Sequence, residues 1–208
     1  MERSFYRVLD HAQPASAIIY KSFRRFGFDG VMRYLASPDL VTSKRVTPSE
    51  VKIIHDAGLN LHLVFQNGSN GAAYFTYARG RLDGQHAREA AAVLGFPRSL
   101  PIYFAVDYNA QPADYDGPLL SYFNGVYDGM LHADGRPAHP VGIYGHYALL
   151  LHVQRNWPGV ENQWQTYAWS NGLVLPGCDA IQYSNGATVA GHNVDLNEFR
   201  IAGWYLAP

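Results

Sequence analysis

One cysteine, Cys178, is all that the 208 residues contain, so no intrachain disulfide can form and no thiolate cluster can hold a metal. Charge is sparse as well. Asp, Glu, Lys and Arg make up 16% of the chain and nearly cancel, leaving a formal net charge of −1. Such a balance offers no electrostatic ground for binding nucleic acid or an anionic membrane. No apolar run is long enough to span a bilayer, and the opening stretch MERSFYRVLDHAQ lacks the apolar core of a signal peptide. The chain therefore reads as soluble, with export or a place on a phage particle left open and the oligomeric state unspecified. Also missing are the GxGxxG and Walker loops of nucleotide binding and the HExxH spacing of zinc hydrolases, so no cofactor is expected. The nine histidines are scattered. Only the proximity of His11 to Asp10 and of His192 to Asp195 keeps metal-dependent hydrolysis as a minor reading.

What is present is apolar and aromatic. Hydrophobic residues reach 48% and aromatics 14%, with fifteen Tyr and four Trp, which marks a globular chain rather than a disordered one. Rings in this number suit either a Tyr-rich core or a site that stacks against a flat ligand. The length fits one sizeable core, and residues 1–208 are read as a single barrel domain.

Strand and helix signals alternate along most of the chain. Strands are expected at 6–10 (YRVLD), 30–35 (GVMRYL), 59–66 (LNLHLVFQ), around 102–106 and at 140–145 (PVGIYG). Between them lie helices at 15–26, 47–58, about 83–94, 116–132 and 147–156. The second is marked most clearly. Thr47 can cap it, Pro48 suits the first turn, Glu50 completes a capping box, and Gly58 supplies the left-handed stop. Beyond residue 156 the rhythm changes to short strands at 165–170, 179–184 and 193–199, separated by Gly-, Pro- and Asn-rich turns. This pattern predicts an α/β fold with a parallel sheet, a TIM-like β/α barrel of about five βα units followed by three strands with few helices.

In such a barrel the site forms at the C-terminal ends of the strands, and side chains alternate between the interior and the helix layer. An apolar run at 102–106 ends abruptly in Asp107. If Asp107 points inward at the rim, Tyr103 and Ala105 lie inside below it, while Phe104 and Val106 face the helices. Strand one likewise ends in Asp10, strand three in Gln66 and strand five in Tyr144; strand seven carries Gln182 and strand eight Asp195. Three carboxylates gathered at one mouth would hinder one another's ionisation, which is how a general acid is kept protonated near neutral pH. Arg33 is expected either to make a structural ion pair or to touch a rim carboxylate or substrate. Trp164 and Trp169 are core residues or sugar-stacking platforms.

The stretches VLDHAQPAS, GVMRYL, TPSEVKIIHDAGLNLHLVFQ, PIYFAVDYN, GIYG and IQYSNGATVAGHNVDLNEF, in that order, resemble the glycoside-hydrolase-like barrel domains long grouped as a family of unknown function. They are more distantly similar to the glycoside hydrolase family 25 lysozymes, which cleave peptidoglycan. The resemblance implies that Asp10 and Asp195 match acids of the first and last strands of those lysozymes. It also implies that Asp107 matches the first residue of their Asp-x-Glu pair, which orients the acetamido group or stabilises the cationic transition state. The second residue of that pair, their general acid, is Asn109 here. An amide cannot donate a proton to a leaving oxygen, so a substitute acid would be Asp195, Asp10, Asp114 or Asp116, and Asn109 becomes a sugar-binding residue. Two functions follow: hydrolysis of bacterial cell-wall glycan through Asp107, Asp195 and Asp10, or glycan binding on a disabled barrel. In either case the candidate sugar contacts are Asn109, Gln66, Tyr144, Gln182, Trp169, Trp164 and Arg33.

Overall fold

The computed structural model describes residues 5–204. Eight strands close into a ring in chain order: β1 (Tyr6–Asp10), β2 (Gly30–Leu35), β3 (Asn60–Phe65), β4 (Ile102–Ala105), β5 (Val141–Gly145), β6 (Asn162–Thr166), β7 (Ala180–Val189) and β8 (His192–Phe199). Helices α1 (Ala17–Arg25), α2 (Pro48–Asp56) and α3 (Tyr77–Leu94) cross between the early strands. A single turn α4 (Pro112–Asp114) runs through a π segment into α5 (Leu120–Met130), and α6 (Tyr147–Asn156) joins β5 to β6. Strands β1 to β7 are mutually parallel, whereas β8 is antiparallel to both β7 and β1. The reason is local. Ala190 and Gly191, with φ of 53° and 76°, make a two-residue turn, and a parallel return would need a crossover of about a dozen residues or more.

Period-two alternation divides the core in two. Val8, Met32, Val64, Tyr103, Ala105, Tyr144, Trp164, Ala180 and Phe199 fill the ring. Leu9, Val31, Leu63, Phe104, Val106 and Ile143 pack outward under the helices. Large and small residues interdigitate inside: a methyl at Gly142 would stand 2.7 Å from the Tyr103 ring.

Several expected element boundaries move: β7 runs on to Val189, and α5 starts at Leu120 after the π segment. The β6 strand ends at Thr166, which leaves Trp169 in the following loop at φ 57°. Helix α3 starts at Tyr77, capped by Thr76, six residues earlier than the sequence pattern suggested. Gly80 and Gly84 form one side of a close helix crossing. A methyl on Gly80 or Gly84 would run into the Tyr122 or Val126 carbonyl, and one on Gly125 or Gly129 into the Tyr77 or Arg81 carbonyl.

The expected capping box on α2 is also half made. Thr47 accepts from the Glu50 N–H at 3.2 Å, but the Glu50 carboxylate turns to Arg33. The guanidinium Nε donates to Glu50 at 2.8 Å and Nη2 at 3.3 Å. The Tyr20 hydroxyl donates to the same carboxylate at 2.5 Å, and Arg33 Nη1 donates to the His11 carbonyl. A guanidinium that is 0% exposed needs these partners more than a helix end needs a second cap.

Two expectations follow. Gly84→Ala, which in an exposed helix would stabilise by about 1 kcal/mol, should here destabilise by about 1–3 kcal/mol through overpacking, read as a lower urea midpoint. Arg33→Met should cost about 3–5 kcal/mol by stranding the Glu50 carboxylate. Adding Glu50→Leu should restore much of that loss, and an unchanged midpoint for the single variant would remove the ion pair from the account.

Candidate active site

Asp10 ends β1, is 2% exposed, and accepts three side-chain hydrogen bonds at the mouth. Its Oδ1 accepts from the Tyr34 hydroxyl at 3.0 Å. Its Oδ2 accepts from Asn197 Nδ2 at 2.8 Å and from Gln182 Nε2 at 3.0 Å. The same Gln182 nitrogen lies 3.3 Å from Asp195 Oδ2, so one amide spans two carboxylates. Gln182 Oε1 in turn accepts from Tyr144 at 2.7 Å and Thr166 at 3.0 Å. With two carboxylates on one side and two hydroxyls on the other, only one orientation of this amide satisfies its neighbours. Asp10 and Asp195 are direct partners in the β1–β8 register, a placement that brings Cβ atoms to about 4.5–5.5 Å.

Asp107 stands just beyond β4, its N–H donating to the Ser69 carbonyl at 2.9 Å. Its Oδ2 accepts from Gln66 Nε2 at 2.9 Å, and Gln66 Oε1 accepts from Lys44 Nζ at 3.4 Å. Tyr34, Lys44, Gln66, Asp107, Gln182 and Asp195 are among the residues lining a cleft of about 160 Å³. That is small beside the ~300–1,000 Å³ of pockets that enclose a drug-sized ligand, so the cleft admits a substituent or part of a ring from an otherwise solvent-borne ligand. A larger apolar groove of about 320 Å³ between α2 and α3 contains none of these acids.

Electrostatics separate the acids. Burial, then the charge of Asp10, raises the Asp195 carboxyl to about 6, against the opposing Gly186 N–H that donates to it at 2.7 Å. Burial also raises Asp10, against the pull of its donors Asn197, Gln182 and Tyr34. Burial raises the phenols of Tyr34 and Tyr144, with the neighbouring carboxylates adding to it, so both rings stay neutral donors.

Asp10, Asp107, Asp195, Gln66, Tyr144 and Gln182 thus meet around one opening. Asp195 arrives by a different route from the others: because β8 runs antiparallel, it comes from the first half of its strand. Trp164 forms the cleft floor, 2% exposed, with its indole N–H on Asn197 Oδ1 at 2.9 Å. Arg33 does not belong to the cleft. Its parity points it outward, into the layer between β2 and α2. Asn109 is exposed and outside the cleft lining, its carbonyl accepting from Gln111 at 2.9 Å. Trp169 is 41% exposed on the β6–β7 loop, also outside the lining. Asp114 caps its own turn through the Gln111 N–H. Asp116 bonds His152 at 2.8 Å and Trp157 at 3.3 Å on the outer surface. His11 packs against the Tyr20 and Phe23 rings, and burial lowers its pKa to about 3.

Several lining or supporting residues, among them Tyr34, Lys44, Asn185 and Asn197, escaped the sequence reading. Asn197 was within its reach, lying two positions from Asp195 on the same strand, and Tyr34 shares the inward parity of its strand with Met32. Lys44 and Asn185 sit on irregular backbone or a bulged strand, where period two carries no information.

A barrel of this kind supports many chemistries, and comparison with known chains narrows the class. The profile of the Rv2525c-like, glycoside hydrolase-like domain matches residues 21–199, and the chain belongs to that family. The uncharacterised protein FadG of Bacillus subtilis is 33% identical over 125 residues, a match covering 60% of this chain and 22% of FadG. The chain therefore spans about a fifth of that relative's length. Among solved structures, the Tat-secreted protein Rv2525c of Mycobacterium tuberculosis, in complex with L-tartrate, superposes with a TM-score of 0.78 at 22% identity. The superposition covers 93% of this chain and 95% of that one. A lysozyme from Streptomyces coelicolor gives 0.62 at 18% identity, over 95% and 93%. At these identities the structural likeness speaks for the fold. Among the described residues, no helix is long and apolar enough to cross a membrane.

The raised Asp195 carboxyl carries a stability consequence. A folded-state pKa of about 6 against 3.8 favours the protonated form. Its contribution is therefore fully present below pH 3.8 and is lost as pH rises through about 6. Asp195→Asn, which keeps an acceptor for the Gly186 N–H, should melt higher than the parent at pH 8, with the gap closing towards pH 4. A variant that melts lower at pH 8 would contradict this.

Proposed function

We propose that the protein is a glycoside hydrolase acting on bacterial cell-wall glycan, with Asp195 as proton donor. The observation that carries this reading is that Asp107 and Asp195 line one cleft with Asp10 buried behind them, and that Asp195 combines partial solvent access with a carboxyl raised to about 6. That value lets a carboxylic acid hold its proton near neutral pH and still release it to a leaving oxygen. The acid role that Asn109 cannot fill thus moves across the mouth to β8. Asp107, oriented by Gln66, serves the reacting ring by holding its acetamido group or by opposing the positive charge that develops in an oxocarbenium-like transition state. Asp10, buried behind them, fixes Gln182 and so the position of Asp195. Likeness in fold to a lysozyme supports the substrate class.

Release of reducing ends from peptidoglycan tests this. Asp195→Asn should lower turnover at least 100-fold, within the range that a positioned general acid supplies, and Asp107→Asn should lower it comparably. Turnover should fall as pH rises above about 6, because the donor must be protonated. No reducing ends at high protein concentration would overturn the catalytic reading.

The position of Asn109 favours a second reading. With an exposed amide where the related lysozymes place their acid, the barrel would bind glycan without cutting it. Calorimetric binding of muropeptides with no cleavage on prolonged incubation would establish that alternative.

A further inference from the structure

Among the described residues, Lys44 is the one cation lining a cleft that also holds Asp107 and Asp195. In such a field an ammonium is expected to collapse onto the nearest carboxylate, yet among the described residues no carboxylate oxygen lies within 4.0 Å of it. It is held elsewhere. The Nζ sits 5.1 Å from the centroid of the Tyr34 ring, it donates to Gln66 Oε1 at 3.4 Å, and the residue's own N–H donates to Thr42 Oγ1 at 3.1 Å. An ammonium has three donors, and one long bond to Gln66 leaves two for something else. Tyr34 and Gln66 fix the head over the β2–β3 wall, while Asp195 and Gln182 belong to the β7–β8 wall.

Resting on the reading of this cleft as a carbohydrate site, we infer that Lys44 receives a free carboxylate carried by the sugar, so that the preferred ligand is an acidic ring rather than a neutral one. The two acids lining the cleft, Asp107 and Asp195, disfavour an anion there, and an anionic ring enters more readily where a fixed cation offsets their field. The bond to Gln66 adds a second effect. Because Gln66 also holds Asp107, a ligand carboxylate drawn to Lys44 lies next to the residue that positions Asp107, which places charge recognition beside the reacting ring. A neutral hexosamine would leave the two spare donors to water and gain nothing from the cation.

Matched probes test this: N-acetylmuramic acid against its lactyl methyl ester, titrated by calorimetry or protein-observed NMR at low ionic strength. The acid should bind at least tenfold more tightly than the ester, and the advantage should shrink in 0.5 M salt as the charge is screened. In Lys44→Met, which keeps an apolar stem over Tyr34, the acid-to-ester ratio should fall to about one. In Lys44→Arg it should persist. Comparing the two probes within each variant keeps the result independent of small changes in folding. Equal binding of acid and ester by the parent protein, or a preference that survives Lys44→Met, overturns the role given to Lys44 and leaves the carbohydrate reading intact. Binding of neither probe, nor of neutral N-acetylglucosamine oligomers, takes both down together.

Discussion

The carboxylate of Asp10 is the point on which the mouth of this barrel depends. It is buried, and three donors from three other strands reach it: Tyr34 from β2, Gln182 from β7 and Asn197 from β8. A buried carboxylate without such partners would be prohibitively costly. Each donor left unpaired by its loss would cost about 1–3 kcal/mol in turn. The seam where the last strand returns to the first is therefore tied by polar bonds as well as by the β1–β8 ladder. That same knot decides where Gln182 points, and through Gln182 it decides where Asp195 stands.

The three acids differ in setting. Asp10 is buried under three donors. Asp107 is held at the rim through Gln66 and the Ser69 carbonyl. Asp195 lies between these extremes, with burial and neighbouring charge raising its carboxyl while it still lines the cleft. Holding it there works against stability above about pH 6, the usual relation between a strained, charged site and the scaffold that supports it. The interior below supplies rigidity. Tyr103, Tyr144 and Trp164 fill the ring beneath the acids, and Gly142 leaves the space that Tyr103 occupies.

Much of this was legible in the chain. The alternation of strands and helices, the change of rhythm after residue 156 and the inward parity of Asp10, Asp107, Gln66 and Tyr144 all follow from periods of 2 and 3.6. Where the reading went astray, a longer-range interaction had overridden a local signal. Arg33, weighed between an ion pair and the rim, makes the ion pair with Glu50, and parity makes its neighbour Tyr34 the inward residue. Helix α3 reaches back to Tyr77, where Gly80 and Gly84 pack against Gly125 and Gly129. Glu50 left its cap for a guanidinium seventeen residues away.

By itself, then, the sequence determined the order and type of most elements and the faces of the strands, because these depend on residues within a turn or two of one another, and the ordered set of its motifs carried the family resemblance. Tertiary structure alone decided which acids share a field and which donors restrain them. Asp10 meets Gln182 and Asn197 across 172 and 187 residues of chain, and only ring closure brings them within hydrogen-bonding reach. The raised carboxyl of Asp195 and the placement of the Lys44 ammonium are products of that closure, since burial and Coulombic energies depend on distances in space that no local pattern encodes.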